Sequence, residues 1–186
     1  MELHKFEKIL SSKRILVTGH TGFTGSWLSQ WLVNIGSDVY GFSLDPITNP
    51  SLFYLLNLDK KLNSFIGDIN DIEQLKNYVK DIKPDLIIHL AAQPLVTESY
   101  IDPINTFATN AMGTANLLEV ARNSNSVQAV LCITTDKVYE NNEDDQAYDE
   151  SARLGGKDPY SASKSAAELI IDSYKNSFNN PQNKIL

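Results

Sequence analysis

The fold of this chain is constrained most by a short apolar run that leads into three glycines and then into a helical pattern. Residues 15–17 are apolar throughout, which predicts a strand buried on both faces. Gly19, Gly22 and Gly25 follow it, and apolar residues then recur at helical spacing over residues 27–32. A strand, a glycine turn and a helix start in this order offer unpaired backbone N–H groups to an anion, at the positive end of the helix dipole.

Two explanations of the glycines are open at this point. In the first, they let the backbone approach the pyrophosphate of a dinucleotide, because a side chain would hold the phosphate away. In the second, they only allow the strand and the helix to pack closely. The position near the N-terminus favours the first explanation, since doubly wound folds begin with this strand. We therefore predict a Rossmann-like α/β domain, with a doubly wound parallel sheet, over residues 1–186.

Composition fits one globular domain and disfavours two classes of partner. Of the 186 residues, 42% are hydrophobic, yet no stretch approaches the ~20 apolar residues of a membrane span. The net charge of −7 argues against nucleic-acid binding, which needs clustered Lys and Arg. The N-terminal residues lack the apolar core of a signal peptide, and the single cysteine, Cys132, lies in an apolar run. We therefore expect a cytoplasmic protein, without a membrane or nucleic-acid partner, whose thiol is buried and inert.

The end of the second predicted strand bears on the choice of dinucleotide. Residues 38–43 predict that strand, and Ser43 stands where dinucleotide folds contact the adenosine ribose. Asp45, two residues on, is either a ribose ligand or a turn former. No Lys or Arg lies between Arg14 and Lys60, so nothing local would neutralise a 2′-phosphate. The sequence therefore favours NAD over NADP.

Two further predicted strands end in residues that suit a cofactor. Residues 62–67 predict the third strand, and Asp68 after it either reaches the adenine or is a solvated turn residue. Residues 85–92 predict the fourth strand, in which the small residues 91–92 would leave room for the cofactor. His89 lies within the apolar run, and we interpret it as a hydrogen-bonded structural histidine.

Two helices are predicted from apolar spacing between these strands. Residues 72–82 repeat apolar side chains at helical intervals, and Asn70 and Asp71 can cap the helix start. A longer helical pattern runs over residues 102–118, where Asn110 interrupts the apolar face. A buried amide there must find hydrogen-bond partners.

Polar residues again follow the fifth predicted strand, residues 127–134. Residues 134–139 stand at the carboxyl end of this strand and include Thr134, Thr135, Asp136 and Lys137. Open α/β sheets bind ligands at such a place, although a simple turn is the alternative. The acidic run over residues 140–150 has no spacing typical of a calcium loop, so we expect a solvated loop without a metal.

The last predicted helix carries a tyrosine and a lysine on one face. Asp158 and Pro159 mark its start, since aspartate caps helix N-termini and proline favours the first position. Tyr160 and Lys164 are four residues apart and therefore adjacent on the helix surface. With eight tyrosines in the chain, the pair alone is a weak signal. Downstream of a dinucleotide fold, with Thr135 available, the pair becomes a strong signal of a functional site, and the alternative is a surface tyrosine beside a solvated lysine.

Taken together, these residues resemble an extended short-chain dehydrogenase/reductase over nearly the whole chain. The stretches that carry the resemblance are Thr18-Gly19-His20-Thr21-Gly22-Phe23-Thr24-Gly25, His89-Leu90-Ala91-Ala92, Thr109-Asn110, and Tyr160 with Lys164. Within that superfamily, three stretches are similar to the CDP-glucose 4,6-dehydratases in particular: residues 19–28, 91–96 and 154–164. The related dTDP-glucose dehydratases carry Thr-Asp-Glu after the fifth strand, whereas this chain has Thr135-Asp136-Lys137, the CDP-glucose pattern.

The resemblance implies a nucleotide-sugar dehydratase that uses NAD. Tyr160 would take the proton of the sugar 4-hydroxyl while the C4 hydride passes to NAD, with Lys164 favouring the phenolate. Thr135 would hydrogen-bond the same oxygen and position it. Asp136 would protonate the departing 6-hydroxyl, for which its carboxyl must be neutral. Lys137 stands where the dTDP enzymes have the glutamate credited with removing the C5 proton, and its role as base or charge screen is open.

The same resemblance implies the cofactor contacts, the substrate and an assembly. The residues it assigns to the cofactor are Gly19, Thr21, Gly22, Phe23, Thr24, Ser43, Asp68, Ile69, Leu90, Ala91, Ala92, Asn110, Tyr160 and Lys164. CDP-glucose is the favoured substrate. A homodimer is implied, in which the helices that carry Asn110 and Tyr160 pack against their copies.

One departure from the family concerns length. Its enzymes continue further, completing the sheet and binding the nucleotide of the sugar, and we expect this chain to lack that C-terminal substrate region. Turnover would then be reduced, because remote binding energy helps to position the reacting centre. One alternative is another nucleotide-sugar epimerase or dehydratase, and Asp136-Lys137 argues against an epimerase, which needs no acid for water elimination. The other is a non-catalytic NAD-binding module, which the expected lack of the C-terminal region favours and the intact Thr135, Tyr160 and Lys164 disfavour.

Overall fold

The structure is a computed structural model that describes residues 2–141 and 147–178. It contains one sheet of five parallel strands: β1 Arg14–Thr18, β2 Asp38–Ser43, β3 Asn63–Ile66, β4 Leu86–His89 and β5 Ala129–Cys132. Their spatial order is β3-β2-β1-β4-β5, so the direction of winding reverses between β1 and β4. The predicted doubly wound sheet is confirmed. Such sheets bind ligands at this reversal, outside the carboxyl ends of the strands.

Helices alternate with the strands and cover both faces of the sheet. They are α1 Glu2–Leu10, α2 Phe23–Asn34, α3 Leu52–Leu55, α4 Ile72–Ile82, α5 Val96–Ile101, α6 Pro103–Phe107, α7 Gly113–Arg122 and α8 Pro159–Phe178. A π turn, Ala108–Met112, joins α6 to α7, and 3₁₀ turns occupy Leu58–Lys60 and Asp136–Val138.

The central strand β1 explains why its residues are apolar without alternation. Ile15 and Val17 point to one face of the sheet, where they pack in a cluster with Leu32 of α2. Leu16 points to the other face and packs in a cluster with Leu75 of α4. All five side chains are fully buried, as expected for a parallel strand with helices on both faces.

Three strands are shorter than the sequence predicts. The strand predicted over residues 62–67 covers only Asn63–Ile66. The strand predicted over residues 85–92 ends at His89, and the one predicted over 127–134 covers only Ala129–Cys132. Beyond His89 the backbone turns toward the glycine turn, where the N–H groups of Leu90 and Ala91 donate to Thr18 Oγ1 at 3.2 Å each. Apolar composition continues past the last ladder pair because these residues line a cavity instead of the sheet.

The helical predictions are confirmed in part. α4 has the predicted bounds, and Asp71 caps it by accepting a hydrogen bond from Gln74 N at 3.0 Å. The long helix predicted over residues 102–118 is interrupted by the π turn and ends at Arg122. The six-residue helix α5 before it was not predicted, since it is too short to display an apolar period.

Within the described ranges, no helix is long and apolar enough to cross a membrane. No group of three or more His, Cys, Asp or Glu side chains in the same ranges is arranged to hold a metal ion. Part of the acidic run predicted as a solvated loop, residues 142–146, lies outside the described residues, as does the tail over residues 179–186.

Candidate active site

A cavity of about 590 Å³ opens at the carboxyl ends of the strands, where the winding reverses. Its volume lies in the ~300–1,000 Å³ range of small-molecule and cofactor sites. The glycine turn, the ends of β2 and β3, the segment after β4 and the start of α8 all contribute to its wall. The predicted cofactor residues that line it are Gly19, Thr21, Gly22, Phe23, Thr24, Ser43, Asp68, Ile69, Leu90, Ala91, Ala92, Tyr160 and Lys164.

The glycine turn has room for backbone alone at two positions. Gly19 has a φ of +74°, and a Cβ built on it would lie 2.8 Å from the backbone nitrogen of Ala91. A Cβ on Gly25 would lie only 2.0 Å from the carbonyl oxygen of Gly19. The first turn of α2 therefore packs directly on the backbone of the turn, and the helix N-terminus faces the cavity.

A hydroxyl pair lies at the adenosine end predicted from β2. Thr21 Oγ1 donates to the carbonyl oxygen of Leu44 at 2.8 Å and lies 2.8 Å from Ser43 Oγ. Because the Thr21 hydrogen is used on Leu44, Ser43 donates to Thr21, and the lone pairs of Ser43 remain free to accept from a ligand hydroxyl. Asp45 also lines the cavity, and Lys164 is the single Lys or Arg among the described lining residues.

His20, inside the glycine turn, was not singled out from the sequence. Its ring is fully buried and packs on the backbone of β2 at Gly41. A Cβ at Gly41 would lie 2.4 Å from the ring, so this close packing requires a glycine there. Its Nε2 lies 2.7 Å from Ser64 Oγ of β3, and Phe53 packs edge-on at 5.4 Å between ring centroids. Burial lowers the pKa of His20 to about 4, so the neutral ring anchors the turn to the sheet.

His89 has the structural role predicted for it. Its Nδ1 lies 2.7 Å from Thr18 Oγ1 and its Nε2 lies 3.2 Å from Thr114 Oγ1. Thr114 donates its own hydrogen to the carbonyl oxygen of Asn110, so hydrogen-bond geometry assigns the ring proton to Nε2. Burial lowers the pKa of His89 to about 3, with a contribution from Lys164. Both ring nitrogens are occupied, and this histidine does not serve as a base.

The helix α8 presents Tyr160 and Lys164 to the cavity. Asp158 caps it as predicted, since its Oδ1 accepts from Ser161 N at 3.0 Å and its Oδ2 from Ser161 Oγ at 2.6 Å. Tyr160 is 9% exposed and Lys164 8%, so both reach the cavity from a buried helix face. Lys164 Nζ donates to the carbonyl oxygen of Ile133 at 3.5 Å, and burial lowers the pKa of Lys164.

The other three predicted catalytic residues lie beside the cavity, not in its wall. Thr135 Oγ1 donates to Asp136 Oδ1 at 3.1 Å and accepts from Lys137 N at 3.4 Å. Asp136 and Lys137 are exposed on the 3₁₀ turn that follows. Thr134, one residue earlier, lines the cavity; the sequence placed it in the polar run at this strand end but gave it no catalytic or cofactor role.

Asn110 occupies a different position from the predicted one. Its side chain is 1% exposed and absent from the cavity wall. Asn110 Oδ1 accepts from Gln93 N at 2.8 Å, and Nδ2 donates to Gln93 O at 3.1 Å and to Ser163 Oγ at 2.9 Å. Ser163 in turn donates to the carbonyl oxygen of Tyr160 at 2.7 Å. The buried amide thus finds its partners behind the wall, and the structure does not bring Asn110 together with the other predicted cofactor residues.

The sequence and the fold both match known proteins. The sequence matches the protein family described as GDP-mannose 4,6 dehydratase over residues 16–185. It is 50% identical over 171 residues to CDP-glucose 4,6-dehydratase of Salmonella typhimurium. The aligned region covers 92% of this chain and 48% of that protein. The chain therefore spans about half the length of this curated relative.

Solved structures give the same picture of the fold. The Thermus thermophilus UDP-glucose 4-epimerase complex with NAD has a TM-score of 0.77 and 28% identity, over 89% of this chain and 51% of the other. A double mutant of dTDP-glucose 4,6-dehydratase from Streptomyces venezuelae, with NAD bound, has a TM-score of 0.79 and 27% identity, over 89% and 52% respectively.

Proposed function

Because the chain belongs to the GDP-mannose 4,6-dehydratase family, we propose that it binds NAD and carries the reacting groups of a CDP-glucose 4,6-dehydratase. One observation carries this proposal: Tyr160 and Lys164 share the wall of a single cavity with the glycine turn Gly19–Gly25. A dinucleotide held by the turn would therefore extend toward a tyrosine and a lysine that can exchange a proton with a sugar hydroxyl.

Several features of the cavity fit NAD. The close packing at Gly25 leaves the helix N-terminus accessible to a pyrophosphate, which needs backbone N–H groups more than cations. The free lone pairs of Ser43 suit the ribose hydroxyls. No Lys or Arg among the described lining residues other than Lys164 could neutralise a 2′-phosphate, so NAD is favoured over NADP. When bound, NAD supplies the acceptor for a hydride from sugar C4 and later the donor of that hydride to C6.

Within this function, Tyr160 acts as the proton acceptor for the sugar 4-hydroxyl. Lys164, four residues along the same helix face, favours the phenolate because its ammonium is an opposite charge nearby. Thr135 holds the same sugar oxygen from the end of β5. Asn110 and Ser163 fix the backbone of Tyr160 from behind and have no contact with the reacting atoms.

Asp136 and Lys137 serve the elimination of water across C5 and C6. Asp136 gives a proton to the departing 6-hydroxyl, and its present partner is the hydroxyl of Thr135. Lys137 is exposed on the same turn and would reach the C5 proton only once a bound substrate covers that turn. Both residues therefore depend on a bound substrate to become part of an enclosed site.

The substrate, the compartment and the assembly are part of the same proposal. CDP-glucose is favoured because the Salmonella relative at 50% identity is named for it, and a cytoplasmic location follows from the sequence. A homodimer is supported by exposed apolar side chains on α6, the π turn and α8: Ile104 at 78%, Met112 at 56% and Leu169 at 61% exposed. Apolar surface of this kind is typical of a protein interface.

A second candidate, a nucleotide-sugar epimerase, is supported by the TM-score of 0.77 with the Thermus epimerase. The two functions differ in their products. A dehydratase releases a 4-keto-6-deoxy sugar, whereas an epimerase returns a sugar with all its hydroxyls and needs no acid at Asp136.

The decisive variant for this function is Tyr160→Phe. We expect it to lower formation of the 4-keto-6-deoxy product from CDP-glucose by about 100-fold or more, because the proton acceptor is lost. The Kd for NAD, measured by calorimetry, should stay within about threefold of wild type, since only one contact changes. Tyr174→Phe is the matched control, as that tyrosine lies on α8 and bonds Glu119 away from the cavity.

Three outcomes contradict parts of this account. Equal losses of NAD binding and turnover in Tyr160→Phe would remove its assigned role. An epimerised sugar as the wild-type product would replace the dehydratase by the second candidate. NAD binding by the wild-type chain without any product would leave a non-catalytic NAD-binding module.

A further inference from the structure

A carboxylate that no step of the proposed reaction uses lies one helical turn beyond Lys164. Glu168 is four residues along α8, so its side chain and that of Lys164 are neighbours on one face of the helix. Thr134, which lines the cavity at the end of β5, donates a hydrogen bond from Oγ1 to Glu168 Oε1 at 2.5 Å. This bond links the strand end to the helix of the reacting residues and fixes where the carboxylate stands.

The surroundings of Lys164 are unfavourable for a charge. Its side chain is 8% exposed, and the hydrogen bond from its Nζ to the carbonyl oxygen of Ile133 is long at 3.5 Å. Burial lowers the pKa of Lys164, while the neighbouring Cys132 and Glu168 act in the opposite direction. An ammonium in this place needs a compensating negative charge.

The titratable groups that face Lys164 come from three elements: His89 of β4, Cys132 of β5, and Tyr160 and Glu168 of α8 itself. Burial lowers the pKa of His89 to about 3 and raises that of Cys132 to about 12, so both are uncharged near neutral pH. Among these groups in the described chain, Glu168 is the one carboxylate.

We propose, resting on the function proposed above for the role of Lys164, that Glu168 is a positioning residue that keeps the Lys164 ammonium charged and in place, with Thr134 holding the Glu168 carboxylate. The carboxylate and the ammonium share one face of α8, one helical turn apart, and Thr134 fixes the carboxylate from the end of β5. Tyr160 lies one turn before Lys164 and Glu168 one turn after it, so the carboxylate compensates the charge from the side away from Tyr160.

A purely structural role for the pair is the competing explanation. In that case the Thr134–Glu168 hydrogen bond would only attach α8 to β5. The two roles separate in Glu168→Gln, because the amide oxygen of glutamine can still accept from Thr134 while the negative charge is gone. A structural attachment survives this change, whereas charge compensation does not.

The test is competitive labelling of the purified chain with acetic anhydride over a range of pH, read at Lys164 by mass spectrometry. Lys164 is open to this small reagent through the cavity it lines. We expect the pKa of Lys164 to fall by at least about one unit in Glu168→Gln, the size of effect of one nearby opposite charge. Asp172→Asn is the matched control, because this exposed carboxylate is on the same helix, about 12 Å beyond Lys164 by helical rise.

Thr134 provides a second pair of variants if Glu168→Gln does not fold. Thr134→Val releases the carboxylate and should lower the pKa of Lys164, whereas Thr134→Ser keeps the hydroxyl and should retain the wild-type value. An unchanged pKa of Lys164 in folded Glu168→Gln, or in Thr134→Val, would overturn the proposal. Neither NAD nor turnover enters this measurement, so its failure is distinguishable from failure of the proposed function.

Discussion

The fold keeps two buried histidines neutral, and each of them makes the free energy of unfolding depend on pH. Burial lowers the pKa of His20 to about 4 and that of His89 to about 3, against an ordinary value near 6.5. Between these values and about 6.5, the unfolded chain binds protons that the folded chain does not. The folded state is therefore fully stable above this window and loses stability as the pH falls through it.

The expected loss is large enough to measure. We expect the free energy of unfolding, from urea titrations, to be about 2–3 kcal/mol lower at about pH 5.5 than at about pH 7.5. In His20→Gln the difference should fall to about half, because one of the two groups is removed. The pKa values of Asp149, Asp158 and Glu119 are lowered from ordinary values that already lie below about pH 5, so these carboxylates contribute little to the difference between about pH 5.5 and about pH 7.5. Equal stability at the two pH values would contradict the burial of neutral histidines.

At the scale of residues, local chemistry identified some roles and missed others. His89 was predicted as structural because it lies inside an apolar strand, and its two hydrogen bonds confirm this. The environment of Asn110 depends on Gln93 and Ser163, which are distant in sequence, so its position behind the cavity wall was not predictable. Glu168 was overlooked, although its spacing of four from Lys164 was visible in the sequence.

At the scale of elements, the N-terminus of α8 sets the position of the two cavity-lining reacting residues. Asp158 accepts from both the backbone nitrogen and the hydroxyl of Ser161. We expect Asp158→Ala to lower the free energy of unfolding by about 1 kcal/mol, because a helix cap is lost. Asp158→Asn is the matched control, since asparagine is an equally good cap and should retain most of the stability. Equal losses in the two variants would show that charge, and not the cap, is responsible.

Elements with strong local signals were predicted well, and those defined by long-range contacts were not. β2 and α4 have the predicted bounds, because alternation, helical period and the Asp71 cap are local properties. β4 and β5 end early because the backbone leaves the sheet to line the cavity. After β4, this path is fixed by hydrogen bonds from the backbone to Thr18, which precedes the glycine turn and is distant in sequence. The π turn at Ala108–Met112 was not predictable, because it does not change the helical spacing of the apolar residues around it.

At the scale of the whole molecule, one cavity joins a backbone cradle, an adenosine end without Lys or Arg among its described lining residues, and a tyrosine–lysine pair. These parts come from the turn between β1 and α2, the end of β2 and the start of α8, and the reversal of winding between β1 and β4 brings them together. Because the chain spans about half the length of its Salmonella relative, cofactor binding is the property that tests the described part most directly.

The most direct measurement is a thermal-shift titration of the purified chain with NAD and with NADP. A ligand that binds only the folded state raises the unfolding midpoint by mass action. We expect NAD to raise the midpoint in proportion to the logarithm of its concentration, and NADP to need at least about tenfold more for the same shift, a difference of about 1.4 kcal/mol. Equal shifts with NADP, or no shift with NAD, would contradict the central claim that this cavity is an NAD site.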